Sequence, residues 1–384
     1  MEEQKKSSLQ GGSLIGRGSF GCVFKPCLKC PGEKSSKEGI VSKVFFSEDS
    51  DKEAKEEIKI DDMIQKIKGN EKWAHIWYKN CKPPPYDMLY KQDEDIEDCL
   101  YENEVSEHDF NKYRRMLQGT YAGVSLLDSM VQDFKSSTFT DKTKFTITFL
   151  KYMKLLKPLF IGLKEMYHKG IGHNDIKDEN IMIDDEGCKY IDFGLSCEFK
   201  DRKFYEKRGK SEFVHDRIYP PYPYEYIYLY ATKGVLYDEQ NDRQHKIYRS
   251  LHDRYMLIHG QIFHRETLIH INNLIQRYID GLVINKPIKK PNKHKLLSLL
   301  DTYSLGMLIP SILCKLAKHL HKMKQLKQYL KLKPMNSFMD LFKHMTEPNY
   351  FDRFTPIEAL QKYVELEKLY LSTSKKQCKR SNRK

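Results

Sequence analysis

The stretch HNDIKDENIMI, residues 173–183, sets Asp175, Lys177 and Asn180 at fixed offsets behind His173, and a further acid, Asp192, opens the DFG at 192–194. Carboxylate and amide oxygens are the hard donors that Mg2+ accepts, and a lysine among them is a cation for a phosphate oxygen. The same residue types also make polar turns between short apolar runs, so the cluster reads either as a metal and phosphate site or as turns.

Upstream, IGRGSFGCV at 15–23 places Gly16, Gly18 and Gly21 in G-x-G-x-x-G-x-V order. Glycines let the backbone approach phosphate oxygens, and its amides can donate to them. A dinucleotide-binding turn carries the same glycines but must open into a helix. Here Cys22, Val23 and Phe24 continue as a β-type run and Pro26 follows, so the loop reads as a hairpin. The candidate nucleotide contacts are Ile15, Gly16, Arg17, Gly18, Ser19, Phe20, Gly21, Cys22 and Val23. In GIVSKVFF, 39–46, Lys43 stands inside an apolar run, where an ammonium is costly unless paired. Glu57, on the apolar face of the next helix, can reach it; Glu53 and Glu56 are rivals, and snorkelling from an edge strand is the other reading.

The elements that must carry these residues are legible in the patterning. Residues 13–46 read as strands, 50–68 as a helix with Ile60, Met63, Ile64 and Ile67 on one face, and 114–121 as another strand. The polar, acidic run 83–109 reads as a surface insertion. Residues 144–170 form a long apolar helix kinked at Pro158 and closed by Gly170. Strands first and helices later imply an α+β chain. There are no internal repeats, and the tail 372–384 is too polar and charged to fold alone.

At 384 residues, 40% hydrophobic and 31% charged, the chain has the composition of a soluble globular protein. Its first twelve residues contain no apolar run, and the best apolar stretch, 297–316, is interrupted by Asp301 and Pro310, so no membrane span is expected. Nine scattered cysteines do not resemble a disulfide framework, which points to a reducing, intracellular compartment. CLKC at 27–30 reads as reduced structural thiols; a zinc knuckle would need two more ligands from Cys22, Cys81 or a histidine. The net charge of +13 is concentrated: residues 285–384 hold 22 Lys and Arg against 7 Asp and Glu. Much of this lies in 314–333, where Leu316, Leu320, Leu326 and Leu330 recur at helical spacing. That run reads as a solvated amphipathic helix or as a dock for nucleic acid or an acidic partner.

In order, GRGSFGCV, VSK, Glu57, HNDIKDEN and DFG resemble the motif series of the eukaryotic-type serine/threonine protein kinases, from about residue 13 to about 365. DTYSLGMLI from 301 is similar to the aspartate-bearing helix start beneath the family's catalytic loop, and FDRFTPIEAL from 351 to its late arginine motif. The resemblance implies a two-lobed protein-kinase-like fold, a small β-rich lobe at about 13–121 and a larger helical lobe at about 122–371 with nucleotide between them, insertions at about 83–109 and 231–296, and a basic disordered tail at 372–384. It implies ATP and Mg2+ as cofactors and protein substrates as acceptors. Asp175 is then the base that takes the hydroxyl proton, Lys177 meets the γ-phosphate, Asn180 and Asp192 hold the metal, and Lys43, held by Glu57, grips the α- and β-phosphates. Lys177 is similar to the serine/threonine type of loop.

The departures carry their own expectations. Asn174 replaces the arginine that in many family members pairs with an activation-segment phosphate, so constitutive competence is expected, with YPPYPYEYIYLY, 219–230, packing that segment in place of a phosphate. Lys200, Arg202, Lys203, Lys207, Arg208 and Lys210 are substitute anchors. Val41 stands where an alanine usually lies against adenine. The inserted stretch, HND and the basic tail are similar to those of divergent kinases of large DNA viruses, which would add a virion to the cytoplasm or nucleus as a location. A pseudokinase that binds nucleotide or partners without phosphoryl transfer is the alternative, and a small-molecule kinase of related fold the third reading.

Overall fold

The computed structural model describes residues 13–18, 21–33, 39–91, 94–201, 203–205, 223, 293–347 and 350–371. The chain divides into two units, Met1–Gly123 with Ile191–Leu195, and Val124–Tyr190 with Ser196–Lys384.

The first unit is built on an antiparallel sheet of order β1-β2-β3-β5-β4, with β1 at Ser13–Gly18, β2 at Gly21–Lys25, β3 at Ile40–Phe45, β4 at Trp77–Cys81 and β5 at Arg115–Thr120. β1 and β2 form the hairpin read from the glycine run, and Gly18 faces Gly21 at its mouth. Gly21 must be glycine: its φ is +147°, and a Cβ there would stand 2.0 Å from the Val44 carbonyl oxygen. Strand alternation sorts the side chains. Val41, Phe45 and Leu117 turn to one face with Trp77 and meet Ala54 and Ile58 of α1, Ser50–Gln65. Lys43 shares that face by its spacing, so it points at α1.

The opposite face, with Cys22, Phe24, Val44 and Met116, is covered by three short helices, α2 at Tyr86–Tyr90, α3 at Asp95–Glu102 and α4 at Glu107–Tyr113. The segment 83–109, expected as a surface insertion, thus packs apolar side chains onto this face of the sheet. Tyr86, Leu89, Ile96, Cys99, Leu100 and Phe110 are buried, at spacings of three and four within α2 and α3. Glu94, Glu97, Asp98, Glu104, Glu107 and Asp109 are exposed beside this apolar stripe, which the average polarity of the run conceals.

The cysteines also depart from expectation. Cys22 is joined to Cys99, tying β2 to α3, and Cys30 to Cys81, tying the CLKC loop to the end of β4. Cys30 is therefore a disulfide partner and not a reduced thiol, while Cys27 is free and buried. Sequence spacing could not show this, because partners 77 and 51 residues apart meet only through the sheet.

In the second unit, β6 at Val124–Ser125, β8 at Ile181–Ile183 and β9 at Cys188–Tyr190 form a small sheet, and β7 at Ile171–Gly172 pairs with β10 at Cys197–Glu198. Helices supply the rest: α5 at Leu126–Asp133, α6 at Ser136–Thr140, α7 at Lys142–Leu155 and α8 at Lys157–Lys169, then α9 at Lys293–Leu297, α10 at Leu300–His319, α11 at Met323–Tyr329, α12 at Lys333–Met345 and α13 at Pro356–Leu366. The helix expected over 144–170 is two helices. Pro158 sits in the first turn of α8, where its missing N–H costs nothing, so the chain breaks at Leu156 instead of bending. Gly170 closes α8 at φ 68°.

The amphipathic run 314–333 is likewise divided. α10 ends at His319, His321 takes φ 55°, and α11 follows. Leu316, Leu326 and Leu330 are buried as their spacing requires, while Lys318, Lys324, Lys327 and Lys331 are exposed. The stretch Lys295–His319 is long and apolar enough to cross a membrane by length and composition, and its most apolar 18-residue window is buried inside this unit, while Lys315, Lys318 and His319 are exposed. α13 begins with a capping box between Thr355 and Glu358. The 231–296 insertion, apart from α9's first residues, lies outside the described residues, as do Arg202, Lys207, Arg208, Lys210, the tail 372–384 and all of 219–230 except Pro223.

Candidate active site

In the first unit the site centres on Lys43, 7% exposed. Its Nζ donates to Glu57 Oε1 at 3.2 Å and Oε2 at 3.1 Å, and to Asp192 Oδ1 at 2.8 Å. Glu57, not Glu53 or Glu56, is thus the helix partner. Burial works against the ammonium, but the Asp192 and Glu57 carboxylates outweigh it and hold its pKa above the ordinary lysine value. Burial raises the Glu57 carboxyl and Asp192 adds to this, while Lys43 and the Trp77 indole act the other way. Lys43 reaches both Glu57 oxygens and the indole Nε1 donates to Oε1 at 2.7 Å, so the ionised carboxylate is the form that satisfies every donor. Asp192 has φ 61°, and a Cβ at Gly194 would lie 3.2 Å from Asp192 Oδ1 and 3.4 Å from Glu57 Oε2. The glycine after Phe193 therefore keeps the two acids close.

The glycine hairpin brings Gly16, Arg17 and Gly18 opposite Val23, Cys22 and Gly21. Ile15 is 47% exposed. Cys22 is buried in its disulfide, so it can offer a ligand only backbone atoms. Ser19 and Phe20, at the hairpin tip, lie outside the described residues. Val41 packs into the core with Phe45, Ala54, Trp77 and Leu117.

In the second unit, Asp175, Lys177 and Asn180 are brought together on the loop between β7 and β8. Asn180 Nδ2 donates to Asp175 Oδ2 at 2.7 Å and to its carbonyl oxygen at 3.0 Å. Lys177 Nζ lies 3.3 Å from Asp175 Oδ2 and 3.5 Å from Glu179 Oε2. The loop is suspended from Asp301 at the start of α10, whose Oδ2 accepts the His173 N–H at 2.6 Å and whose Oδ1 accepts the Asn174 N–H at 2.9 Å. Burial raises the Asp301 carboxyl, against the pull of His173 and these two donors. Asn174 is held at φ 62°, and its side chain turns inward, donating to the Gly172 carbonyl at 3.1 Å. Asp178 accepts from Lys315 Nζ at 2.7 Å, a second tie from the loop to α10. The late arginine, Arg353, is 2% exposed and donates to the carbonyls of Glu347 and Leu299.

Asn180 and Asp192 suit Mg2+ by donor type. With Asn180's amide nitrogen committed to Asp175, its Oδ1 is the atom for a cation, and Asp192 keeps a side chain 32% exposed. Among the described residues no group of three or more His, Cys, Asp or Glu side chains could hold a metal by itself.

Trp77, Asp61 and Gly119 escaped the sequence reading. Trp77 N donates to Asp61 Oδ2 at 2.9 Å, and burial pushes the Asp61 carboxyl well above its ordinary value. No motif marks these residues: Trp77 bonds Glu57, Asp61 accepts from the Trp77 backbone, and Gly119 leaves room for the indole.

A sheet-based unit presenting a lysine between two acids, and a helical unit presenting an aspartate, lysine and asparagine on one loop, define a protein-kinase-like chain. Residues 104–222 match the family model described as the protein kinase domain. The serine/threonine-protein kinase PSK1 of Saccharomyces cerevisiae is 35% identical over 72 residues, 18% of this chain and 5% of that protein. The serine/threonine-protein kinase pim-2 of Danio rerio is 36% identical over 70 residues, 18% of this chain and 21% of that one. The chain thus spans only a small part of these relatives. A crystallised kinase domain aligns over 91% of this chain and 93% of its own, with a TM-score of 0.40 and 14% identity, too loose to inform detail. Residues 104–222 are thus similar to a protein kinase domain, and the ordered motifs resemble those of the eukaryotic-type serine/threonine protein kinases.

Proposed function

We propose that the chain transfers the γ-phosphoryl group of ATP to serine or threonine hydroxyls of protein substrates, with Mg2+ as cofactor, through a catalytic domain spanning 13–371. The observation that carries this reading is the buried Lys43 ammonium shared by Glu57 and Asp192. A cation so far from water is sustained by its acids, and it suits the oxygens of a polyphosphate. In this reading Lys43 meets the α- and β-phosphates and the backbone of the glycine hairpin approaches the phosphate chain. Asp175 takes the proton of the attacking hydroxyl as the new O–P bond forms and the bond to ADP breaks. Lys177 offsets charge on the γ-phosphoryl oxygens. Asn180 and Asp192 would hold Mg2+, which when bound neutralises the phosphate oxygens.

The test is phosphoryl transfer from radiolabelled ATP to generic basic and acidic proteins, with aminoglycoside and choline as competing acceptors. Labelled serine or threonine is expected from the wild type. Asp175→Asn should lose about 10² to 10⁴ in turnover with nucleotide affinity retained. Lys43→Met and Asp192→Ala should be inactive, the latter also losing the Mg2+ dependence of ATP binding. Nucleotide binding without transfer would favour the pseudokinase, and transfer to the small acceptors alone would reassign the substrate class.

The exposed lysines of α10 and α11 are proposed to dock an acidic protein or nucleic acid. Affinity for an oligonucleotide that falls with salt in the manner of counterion release would support the nucleic-acid form, and no binding to either class would remove the proposal.

A further inference from the structure

The Lys43–Glu57 pair is held from a third side by Trp77. The indole Nε1–H donates to Glu57 Oε1 at 2.7 Å, with Glu57 1% and Trp77 8% exposed. The backbone N–H of the same residue donates to Asp61 Oδ2 at 2.9 Å. Glu57 and Asp61 are four residues apart, one turn of α1, so one residue at the start of β4 binds two successive positions on one helix face. The two bonds fix how far α1 is turned about its axis and therefore where Glu57 points.

Room for the indole comes from β5. Gly119 lies opposite Trp77 in the β4–β5 ladder, and a Cβ there would come 2.8 Å from Trp77 Cε3, 3.0 Å from His75 Nε2 and 3.0 Å from the Ile76 carbonyl oxygen. His75 packs edge-on against the indole with ring centroids 5.4 Å apart. Glycine at 119 therefore admits the ring that reaches Glu57. Without the indole, Glu57 has only Lys43 among these partners, and Lys43 has a nearer one in Asp192, at 2.8 Å against 3.1 Å.

We propose that Trp77 is a positioning residue for the phosphoryl-transfer site: its indole N–H and backbone N–H pin Glu57 and Asp61 of α1, so that Glu57 holds Lys43 for the nucleotide, and Gly119 exists to admit the indole. The proposal rests on the kinase reading for its consequence in turnover, but its geometry can be tested without it.

The whole chain contains two tryptophans, so tryptophan-labelled full-length protein gives two indole N–H resonances, assigned with Trp73→Phe and Trp77→Phe. The Trp77 indole proton should be shifted downfield and slow to exchange, and Glu57→Gln should move it and speed its exchange. In steady state, Trp77→Phe keeps most of the ring and loses the donor. It should lower kcat/KM for MgATP about tenfold or more, as removal of a bond to a buried charge does, mainly through a higher MgATP KM. The KM for the protein acceptor should stay within about twofold. In a Glu57→Gln background the same substitution should cost less than about twofold, because its target is already changed. Gly119→Ala, which leaves the tryptophan present but displaced, should reproduce both the MgATP defect and the resonance shift.

A Trp77 resonance indifferent to Glu57→Gln, effects of Trp77→Phe and Glu57→Gln that simply multiply, or a lower kcat with unchanged MgATP KM would overturn the proposal, the last pointing to loss of folded protein only. If the wild type transfers no phosphate, the kinase reading falls by itself, and the resonance experiment still decides whether Trp77 holds Glu57.

Discussion

Asp301 offers the sharpest test of how the second unit holds the loop that carries Asp175, Lys177 and Asn180. Its two carboxylate oxygens accept the N–H groups of His173 and Asn174, at 2.6 and 2.9 Å, with the acid 5% exposed. Asp301→Ala removes the acceptor of both donors in a place water hardly reaches, at about 1–3 kcal/mol for each donor left unsatisfied. The combined cost of about 2–6 kcal/mol is a large share of the ~5–15 kcal/mol that holds a domain together. Asn174 adds to the effect, since its φ of 62° is a conformation worth about 1–3 kcal/mol of strain in a residue that is not glycine, and the bond to Asp301 helps maintain it. Asp301→Asn keeps one acceptor and turns an NH2 toward the other donor, so it should fall between wild type and alanine. Urea denaturation followed by circular dichroism should rank the three in that order. Turnover should drop at least tenfold in the alanine variant under conditions where it is still folded, because Asp175 follows directly on Asn174. Nucleotide affinity, which this reading assigns chiefly to Lys43 of the first unit, should change little. A wild-type urea midpoint together with wild-type turnover in Asp301→Ala would refute the argument that the loop hangs from this carboxylate.

Glu33 tests the electrostatics of the CLKC loop. Burial alone would raise its carboxyl, but the Lys79 ammonium, the Cys30 N–H and the Gln118 amide outweigh it and hold the pKa at about 2, against 4.5 ordinarily. A depressed carboxylate stabilises above its unfolded pKa and is lost as pH falls through the folded one, so the wild type should lose about 1 kcal/mol between about pH 4.5 and pH 2, an increment absent in Glu33→Gln. Mass spectrometry after alkylation in denaturant should find Cys22, Cys99, Cys30 and Cys81 modified only after reduction and Cys27, Cys188, Cys197 and Cys314 modified without it; modification of all eight without reductant would restore the reduced reading. Linking residues 51 and 77 apart should make each bond worth about 4 kcal/mol by loop entropy, so the Cys30→Ser, Cys81→Ser double variant should melt well below the wild type. Phosphatase-treated protein should keep its activity: Asn174 faces inward to Gly172 and cannot neutralise a dianion, and a tenfold fall would point to Lys200 and Lys203 with the other basic residues of that segment.

The parts of the molecule legible in the sequence were those in which local pattern and chemistry coincide. The glycine hairpin, the strand holding Lys43 and the helix holding Glu57 are each specified within a few residues, by a β-type run after the glycines and by apolar spacing of three and four along α1. The loop from His173 to Asn180 is short enough for offsets in the chain to become offsets in space, which is why Asp175, Lys177 and Asn180 meet. Where two principles competed, the reading failed. In 83–109 the acidic composition masked an apolar stripe that covers a sheet face. At Pro158 and His321 the backbone stopped a helix that side-chain periodicity would have continued.

Cross-chain contacts were the least legible, and Trp77 shows why. A tryptophan opening a short strand carries no motif, and its value comes from residues 20 positions back in Glu57 and 42 positions ahead in Gly119, joined only when β4 is laid beside β5 and under α1. The motif residues identify what the site would do to a phosphate. On the proposed reading, Glu57 is kept aimed by the indole N–H, 2.7 Å from its carboxylate oxygen, by the Trp77 backbone N–H on Asp61, and by the missing side chain that admits the ring. A substitution at Gly119, in no recognised motif, should therefore disturb the nucleotide site as surely as one at Glu57 itself.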